Sequence, residues 1–160
     1  MILRESKQSD MPFLRDMLYE AVFWRASDNK PTKEEGLAFP EVNAALAGFG
    51  QREGDAAVVA ISESAPVGAA WYRFWKDDDN ARGHVDESMP VLAIGVHSDY
   101  RHQGIGGKMV DWLVEYAAKR GVAKISLSVA KDNYAMKLYM QKGFVEHADI
   151  GDSLLMVREV

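Results

Sequence analysis

The sequence predicts an α/β fold, a mixed and twisted sheet of about six to seven strands with helices on both faces. An apolar run at 91–96 leads through a glycine-rich turn into a helical pattern at 104–120, and a strand pattern follows at 124–129. Strand, helix and strand in this order form a right-handed crossover between two parallel strands. Two β-rich runs at 56–62 and 67–75 add an antiparallel hairpin.

The N-terminal part of the chain predicts one strand and two helices. Residues 2–6 are a short apolar start, and Ser9 or Asp10 can cap a helix whose apolar residues recur at helical spacing. The polar stretch 26–36 contains proline and glycine and predicts a loop. A second helix is expected over 40–46.

Three further segments complete the predicted sheet. The stretch 76–90 is acidic and irregular, and it separates the hairpin from the central strand. Its charge favours a cationic substrate such as an amine, although a solvated charged loop has the same composition. A short helix is expected at 133–142, and terminal strands are expected at 144–148 and 154–158.

Composition excludes several classes of function. The 160 residues include 19 basic and 24 acidic side chains, a formal net charge of −5, with no basic block that would predict a nucleic-acid surface. The absence of cysteine excludes disulfides, thiolate metal sites and a cysteine nucleophile, and the histidines lack metal-ligand spacing, so we expect no metal. There is no signal-peptide pattern and no apolar run of ~20 residues. We expect a single cytoplasmic domain over residues 1–160 that does not contact a membrane.

The glycine-rich turn at 101–108 predicts an anion-binding site. Three glycines in four positions leave backbone N–H groups uncovered, and the positive end of the following helix points to the same place. Arg101 and Lys108 add positive charge on either side. The dinucleotide and P-loop motifs both fail at Met109, which stands where a glycine or a hydroxyl side chain would be needed. A turn that only connects strand to helix remains the alternative.

A second motif lies at 133–144 and reads Asn-x-Ala-x-x-Leu-Tyr-x-x-x-Gly-Phe. The turn before it matches Arg/Gln-x-x-Gly-x-Gly/Ala through Arg101, Gly104 and Gly106. With both motifs in this order, the chain resembles the GNAT superfamily of acetyl-CoA-dependent N-acetyltransferases, most clearly over residues 56–147. Two motifs in the correct order are far more specific than either one alone.

The resemblance implies that acetyl-CoA is the cosubstrate. Its diphosphate would lie on backbone N–H groups of 103–108, and its pantetheine amides would bond to backbone exposed where two parallel strands splay apart. Asn133 would hydrogen-bond the cofactor arm, with a simple helix cap as the alternative. The predicted cofactor-binding residues are Ile94, Val96, Arg101, His102, Gln103, Gly104, Ile105, Gly106, Gly107, Lys108 and Asn133.

The resemblance also implies that Tyr139 is the general acid that protonates the departing thiolate. The alternative is a buried tyrosine that only closes the last helix. Family members with an identified base often carry Glu or His on the first half of the strand before the glycine turn, but residues 89–92 have no ionisable side chain. Glu87 is the candidate base, and deprotonation through water or of the free substrate stays open.

The predicted function is transfer of acetyl from acetyl-CoA to an amine of a small molecule or peptide. Direct attack in a ternary complex is expected, because no cysteine can carry the acetyl group. The alternative is a non-catalytic CoA-binding or acyl-CoA-binding sensor or interaction module, which the missing base keeps open. The acidic loops favour a cationic acceptor, and exposed strand edges are compatible with a homodimer.

Overall fold

The computed structural model describes residues 1–160 and contains one seven-stranded mixed sheet in the order β1-β2-β3-β4-β5-β7-β6. The strands are β1 (Ile2–Glu5), β2 (Ala56–Ser62), β3 (Ala65–Arg73), β4 (Val91–Val96), β5 (Lys124–Ala130), β6 (Val145–Asp149) and β7 (Ser153–Glu159). The helices are α1 (Met11–Val22), α2 (Lys33–Ala38), α3 (Pro40–Ala44), α4 (Ile105–Lys119) and α5 (Ala135–Gln141). The predicted α/β class and strand number are confirmed.

The parallel pair β4/β5 is the one break in an otherwise antiparallel sheet. It is registered only at Val91 and Ser126, where the Ser126 N–H donates to the carbonyl of Pro90 at 3.0 Å. Past that point the two strands diverge, and the rest of β4 has no ladder partner on its β5 side. The predicted splayed pair is therefore present, and it opens a gap in the middle of the sheet.

Helices cover both faces because side chains alternate along the strands. On β2, Val58 packs with the cluster under α4, whereas Val59 packs with the cluster under α1 to α3. Leu113 of α4 and Leu14 of α1 are fully buried on the two opposite faces. The sheet is thus the middle layer of three, and each neighbouring helix layer has its own apolar core.

The helix α1 lies directly on the backbone of β4. A Cβ atom at Gly95 would stand 2.2 Å from the carbonyl oxygen of Met17, so only glycine allows this close approach. The approach places the last turn of α1 beside the gap between β4 and β5.

The sequence predicted a loop over 26–36. This prediction was wrong for residues 33–36, because α2 begins at Lys33. Thr32 accepts a hydrogen bond from the Glu35 N–H at 3.2 Å, and the Glu35 carboxylate accepts one from the Thr32 N–H at 3.0 Å. This Thr-x-x-Glu capping box fixes the helix start. The signal was present in the sequence, but Pro31 and Gly36 obscured it.

The strand β3 ends at Arg73 rather than at residue 75, and Arg73 is buried. Its guanidinium makes two 2.9 Å bonds to the carboxylate of Asp55 and donates to the carbonyls of Ala44 and Ala47 at 3.1 and 2.8 Å. Both members of the ion pair are 1% exposed. The pairing of an arginine with a carboxylate eighteen positions away joins β3 to the turn after α3.

Candidate active site

The gap between β4 and β5 widens into a cleft of about 1140 Å³. The end of α1, the helix α3, the segment before β4, the turn before α4, and α5 all contribute to its walls. The cleft brings together parts of the chain that are far apart in the sequence, including both predicted motifs.

The backbone of β4 faces this cleft at alternate residues. The His97 N–H donates to the carbonyl of Val67 on β3 at 2.8 Å. Because hydrogen bonding alternates along an antiparallel strand, the even-numbered residues of β4 direct their N–H and C=O groups away from β3. Ile94 and Val96 are two of these even-numbered residues, and both line the cleft. The Val96 carbonyl accepts a bond from Arg101 Nε at 3.1 Å, whereas the polar groups of Ile94 face the gap without a strand partner.

The turn before α4 has the geometry of an anion-binding site. Gly104 has φ +81° at the start of the helix, and the first helical bond runs from the Lys108 N–H to its carbonyl at 3.2 Å. The N–H groups of Ile105, Gly106 and Gly107 therefore have no partner within the helix, and all three residues line the cleft. The side chains of the flanking residues Gln103 and Lys108 do not line it.

The two glycines at the start of α4 also allow the helix to pack closely on α5. A Cβ atom at Gly106 would lie 3.0 Å from Leu138, and one at Gly107 would lie 3.0 Å from Lys142. The glycines of the turn are thus explained both by an open backbone and by the contact between two helices. Substitution of Gly106 would change both features at once.

Arg101 of the first motif forms an ion pair within the protein. Its Nη2 lies 2.8 Å from a carboxylate oxygen of Glu20 on α1, and both side chains are partly buried. With the bond from Nε to the Val96 carbonyl, the guanidinium joins α1, β4 and the turn. Arg101 lines the cleft, but its charge is compensated by Glu20.

Two aromatic rings meet across the mouth of the cleft. His102, in the turn before α4, has φ +63°, a backbone conformation that is uncommon for residues other than glycine. Its ring centroid lies 4.9 Å from that of Tyr134, which precedes α5 and is half exposed. Both residues line the cleft, and neither the contact nor Tyr134 was predicted from the sequence.

Asn133 lines the cleft and also caps the start of α5. Its side-chain oxygen accepts a hydrogen bond from the Ala135 N–H at 2.9 Å. The capping role left open as the alternative is therefore present. The amide nitrogen of the same side chain makes no bond within the chain, and it remains able to donate to a ligand.

Tyr139 of α5 lies on the cleft wall with only 8% of its surface exposed. Its ring packs edge-on against Phe144, with 5.9 Å between centroids. Burial raises the pKa of Tyr139 above the ordinary value for a phenol, and the nearby Tyr134 adds to the shift. The raised pKa keeps the phenol protonated near neutral pH. No group of the chain bonds to its hydroxyl, so the phenol is free to donate to a ligand.

Glu87 does not line the cleft. Its carboxylate accepts a hydrogen bond from the Asp77 N–H at 2.9 Å, within the acidic segment itself. The carboxylates that do line the cleft belong to Glu20, Glu41 and Asp79. Of these, Glu20 is bound to Arg101 and Asp79 caps the Lys76 N–H at 2.8 Å, whereas Glu41 has no partner.

Several cleft residues gave no signal in the sequence. Glu41, Arg82, Tyr134 and Lys137 are common surface residues outside the motif positions. Only the fold brings them together. No three His, Asp or Glu side chains meet in a group that could hold a metal ion, and none of the helices has the length and apolar character to cross a bilayer.

Comparison with known proteins identifies a family and a fold. The model of the acetyltransferase (GNAT) family matches residues 15–144. An uncharacterized N-acetyltransferase of Methanocaldococcus jannaschii is 30% identical over 113 residues, which are 69% of this chain and 48% of the relative. The matched stretch thus spans about half the length of that curated relative.

Solved structures with the same fold are more distant in sequence. Ribosomal-protein-alanine N-acetyltransferase from Brucella melitensis has a TM-score of 0.69 at 22% identity, with both chains covered completely. Phosphinothricin acetyltransferase from Sinorhizobium meliloti, solved with acetyl-CoA, has 0.67 at 19%, covering 99% of this chain and 88% of that one. PaiA N-acetyltransferase from Thermoplasma acidophilum, solved with coenzyme A, has 0.67 at 17% with complete coverage of both chains.

Proposed function

Because the chain belongs to the acetyltransferase (GNAT) family, we propose that it transfers an acetyl group from acetyl-CoA to an amine. The observation that carries the proposal is the open edge of β4 beside the turn before α4. Ile94 turns unpaired backbone groups into the cleft, and the free N–H groups at the start of α4 follow a few residues later. A long molecule with amides at one end and a diphosphate at the other matches both features.

The cofactor would lie along β4 with its diphosphate at the start of α4. The N–H groups of Ile105, Gly106 and Gly107 would bind the diphosphate oxygens, helped by the positive end of the helix dipole. The pantetheine amides would bond to Ile94 and Val96, whose spacing along the strand is about 6.6 Å. Coenzyme A and acetyl-CoA are bound by the relatives from T. acidophilum and S. meliloti.

The reaction we propose is direct attack. The nitrogen of the acceptor amine forms a bond to the carbonyl carbon of the thioester, and the carbon–sulfur bond breaks with its electron pair going to sulfur. Tyr139 donates its phenol proton to that sulfur, which gives coenzyme A as the free thiol, and the proton that the nitrogen releases on becoming an amide restores the phenol. Because the chain has no cysteine, no acetyl-cysteine intermediate can form.

The attacking amine must first lose a proton. Glu41 is the one cleft carboxylate without a partner in the chain, so we propose that it accepts this proton, directly or through water. Glu87, the candidate from the sequence, lies outside the cleft and bonds to its own loop. We therefore assign Glu87 no part in the reaction.

Release of free thiol from acetyl-CoA, measured across a panel of amines, tests this function. We expect release with at least one amine, and mass spectrometry should find that amine heavier by one acetyl group. The alternative is a module that binds coenzyme A without turnover, and the lack of an ionisable side chain on the first half of β4 favours it. Tight binding of acetyl-CoA with no thiol release for any acceptor would support that alternative.

A further inference from the structure

The cleft contains one arginine without a partner. The arginines that line it are Arg25, Arg73, Arg82 and Arg101. Three of them form ion pairs, at 2.6, 2.9 and 2.8 Å, with Asp132, Asp55 and Glu20 respectively. Arg82 makes no hydrogen bond or ion pair in the chain. A free guanidinium in a ligand cleft is suited to a carboxylate, to which it can donate two parallel hydrogen bonds.

The turn that carries Arg82 is held firmly against the sheet. The next residue, Gly83, is buried with φ +90°, and its carbonyl accepts a 2.7 Å bond from the buried hydroxyl of Ser126. A Cβ atom at Gly83 would stand 2.8 Å from Val91 and 3.1 Å from the Ser128 nitrogen. The backbone beside Arg82 is therefore held at the point where β4 and β5 separate, while the Arg82 side chain is exposed.

This position is far from the proposed diphosphate site. The turn packs against Val91, the first residue of β4, whereas the glycine-rich turn follows Val96 at the other end. The five steps between these residues span about 16 Å at the usual rise of a strand. A cofactor diphosphate bound at the start of α4 would therefore lie at the opposite end of β4 from the turn that carries Arg82, which leaves the acceptor as a source of an anion for Arg82.

Four of the five acidic side chains of 76–90 hydrogen-bond within their own loop, and Asp78 has no partner. Asp77 contacts His84 at 2.8 Å, Asp79 caps the Lys76 N–H, and Glu87 accepts from the Asp77 N–H. Asp86 accepts from the Ser88 N–H at 2.7 Å. These carboxylates keep their negative charge, so the predicted preference for a cationic amine stays open, and an acceptor that carries both an ammonium and a carboxylate group is compatible with it.

We propose that Arg82 binds a carboxylate of the acceptor, so that the acceptor is an amine that also carries an acid group, as an amino acid does. The inference rests on the proposed acetyl transfer and names the class of molecule that receives the acetyl group. Arg82 determines specificity and takes no part in bond making or breaking. Its loss should weaken acceptor binding and leave the chemical step nearly unchanged.

Pairs of acceptors that differ only in the acid group test the proposal. Thiol release from acetyl-CoA is measured with amino acids and with their carboxamides. We expect the acids to be preferred, and Arg82→Gln should raise the KM for an acid by about 10- to 100-fold, the loss expected for a charge-assisted hydrogen bond. The KM for the amide should change less than about twofold, and kcat should change little for either. Arg82→Lys should give an intermediate KM.

Lys76→Gln is the matched control, because it removes a cation from the same segment outside the cleft. It should leave both acceptors unaffected. A wild-type protein that prefers amides, or an Arg82→Gln variant that loses both acceptors equally, would overturn the proposal. An aminoalkyl phosphonate in the panel distinguishes the acid group, since preference for the phosphonate would overturn the assignment to a carboxylate.

A binding measurement separates this inference from the proposed function. Thermal shift of the coenzyme A complex is recorded with each acid and its amide, and no turnover is required. Protection by the acid alone, lost in Arg82→Gln, would support the role of Arg82 in acceptor binding even in the absence of turnover. Failure of every acceptor to release thiol would count against acetyl transfer and not against this role. Equal protection by acid and amide would overturn the role of Arg82 whatever the activity.

Discussion

The carboxylate of Glu20 lies 2.8 Å from the guanidinium of Arg101 and ties α1 to the turn that precedes α4. The arginine that the first motif would offer to a phosphate is thereby engaged within the protein. Its second bond, to the Val96 carbonyl, fixes the end of the strand whose edge faces the cleft. The pair therefore holds the end of α1 and the end of β4 in place relative to the turn before α4.

Arg101→Gln should lower the free energy of unfolding by about 1–2 kcal/mol, because Glu20 is left partly buried without its partner. Urea denaturation measures this change. Affinity for acetyl-CoA should fall by less than about threefold, since the guanidinium is already paired. A loss of affinity above tenfold with unchanged stability would instead assign the guanidinium to the diphosphate.

Tyr139→Phe should reduce kcat by about 10- to 100-fold, because the departing thiolate loses its proton donor. The affinity for acetyl-CoA should stay within about twofold, since the ring and its packing on Phe144 are retained. Tyr116→Phe is the control, as its hydroxyl bonds to Glu5 outside the cleft. Unchanged turnover of Tyr139→Phe would remove this residue from the mechanism.

The diphosphate should supply much of the affinity for the cofactor. We expect S-acetylpantetheine, which lacks the nucleotide, to bind about 100-fold or more weakly than acetyl-CoA, because several charge-assisted bonds to backbone N–H groups are lost. Calorimetry measures both affinities. Acetyl-dephospho-CoA keeps the diphosphate and should bind within about tenfold of acetyl-CoA. If acetyl-dephospho-CoA bound as weakly as S-acetylpantetheine, the 3′-phosphate would be the group that the protein recognises.

Glu41→Gln should lower kcat/KM by about 10- to 100-fold near neutral pH, because the amide cannot accept a proton. The loss should shrink at higher pH, where more of the acceptor amine is already deprotonated. Glu87→Gln is the control and should show ordinary rates, as Glu87 lies outside the cleft. A larger loss in Glu87→Gln than in Glu41→Gln would reverse our assignment.

Asp10 makes stability depend on acid pH. The Arg4 guanidinium binds its carboxylate at 2.7 and 2.9 Å and lowers the pKa of Asp10 below its ordinary value. A lowered pKa means that the folded state favours the carboxylate, so this stabilisation is present above about pH 4 and is lost as pH falls through the folded pKa. Asp10→Asn should be less stable by about 1 kcal/mol at pH 7.

Urea denaturation at pH 7 and at pH 3 measures this difference. The gap between the wild-type protein and Asp10→Asn should narrow at pH 3, because the Asp10 carboxyl of the unfolded protein then binds a proton while the lowered pKa in the folded state resists it. Asp16→Asn is a suitable control, since Asp16 forms an exposed pair with Lys33. A gap that stays the same at both pH values would show that Asp10 acts through packing rather than charge.

The central part of the fold was predictable because the local sequence patterns there agree with the structure that forms. The apolar run of β4, the three glycines and the spacing of Asn133 and Tyr139 are each short-range features that a linear sequence displays. The start of α2 was equally local, but Thr32 and Glu35 stand between a proline and a glycine that favour a loop. Ambiguity between competing local signals accounts for that error.

The composition of the cleft was not predictable, because its contacts join distant residues. Arg101 and Glu20 are 81 positions apart, and the bonded side chains of Arg73 and Asp55 look like ordinary surface residues in the sequence. Glu87 resembled Glu41 as a free carboxylate until the fold placed one outside the cleft and the other within it. The type of a charged residue does not indicate which distant residue it will contact in the fold.

The sequence by itself determined the α/β class, the parallel pair and the two motifs, since periodicity and glycine spacing act within a few residues, while the splaying of that pair followed only from the family resemblance. Only the tertiary structure decided which charges are paired and which remain free. Arg101 and Arg82 are chemically alike in the sequence, yet packing of α1 on β4 supplies Glu20 to the first and leaves the second open to a ligand. Charge pairing depends on distances in space, which no local pattern of residues records.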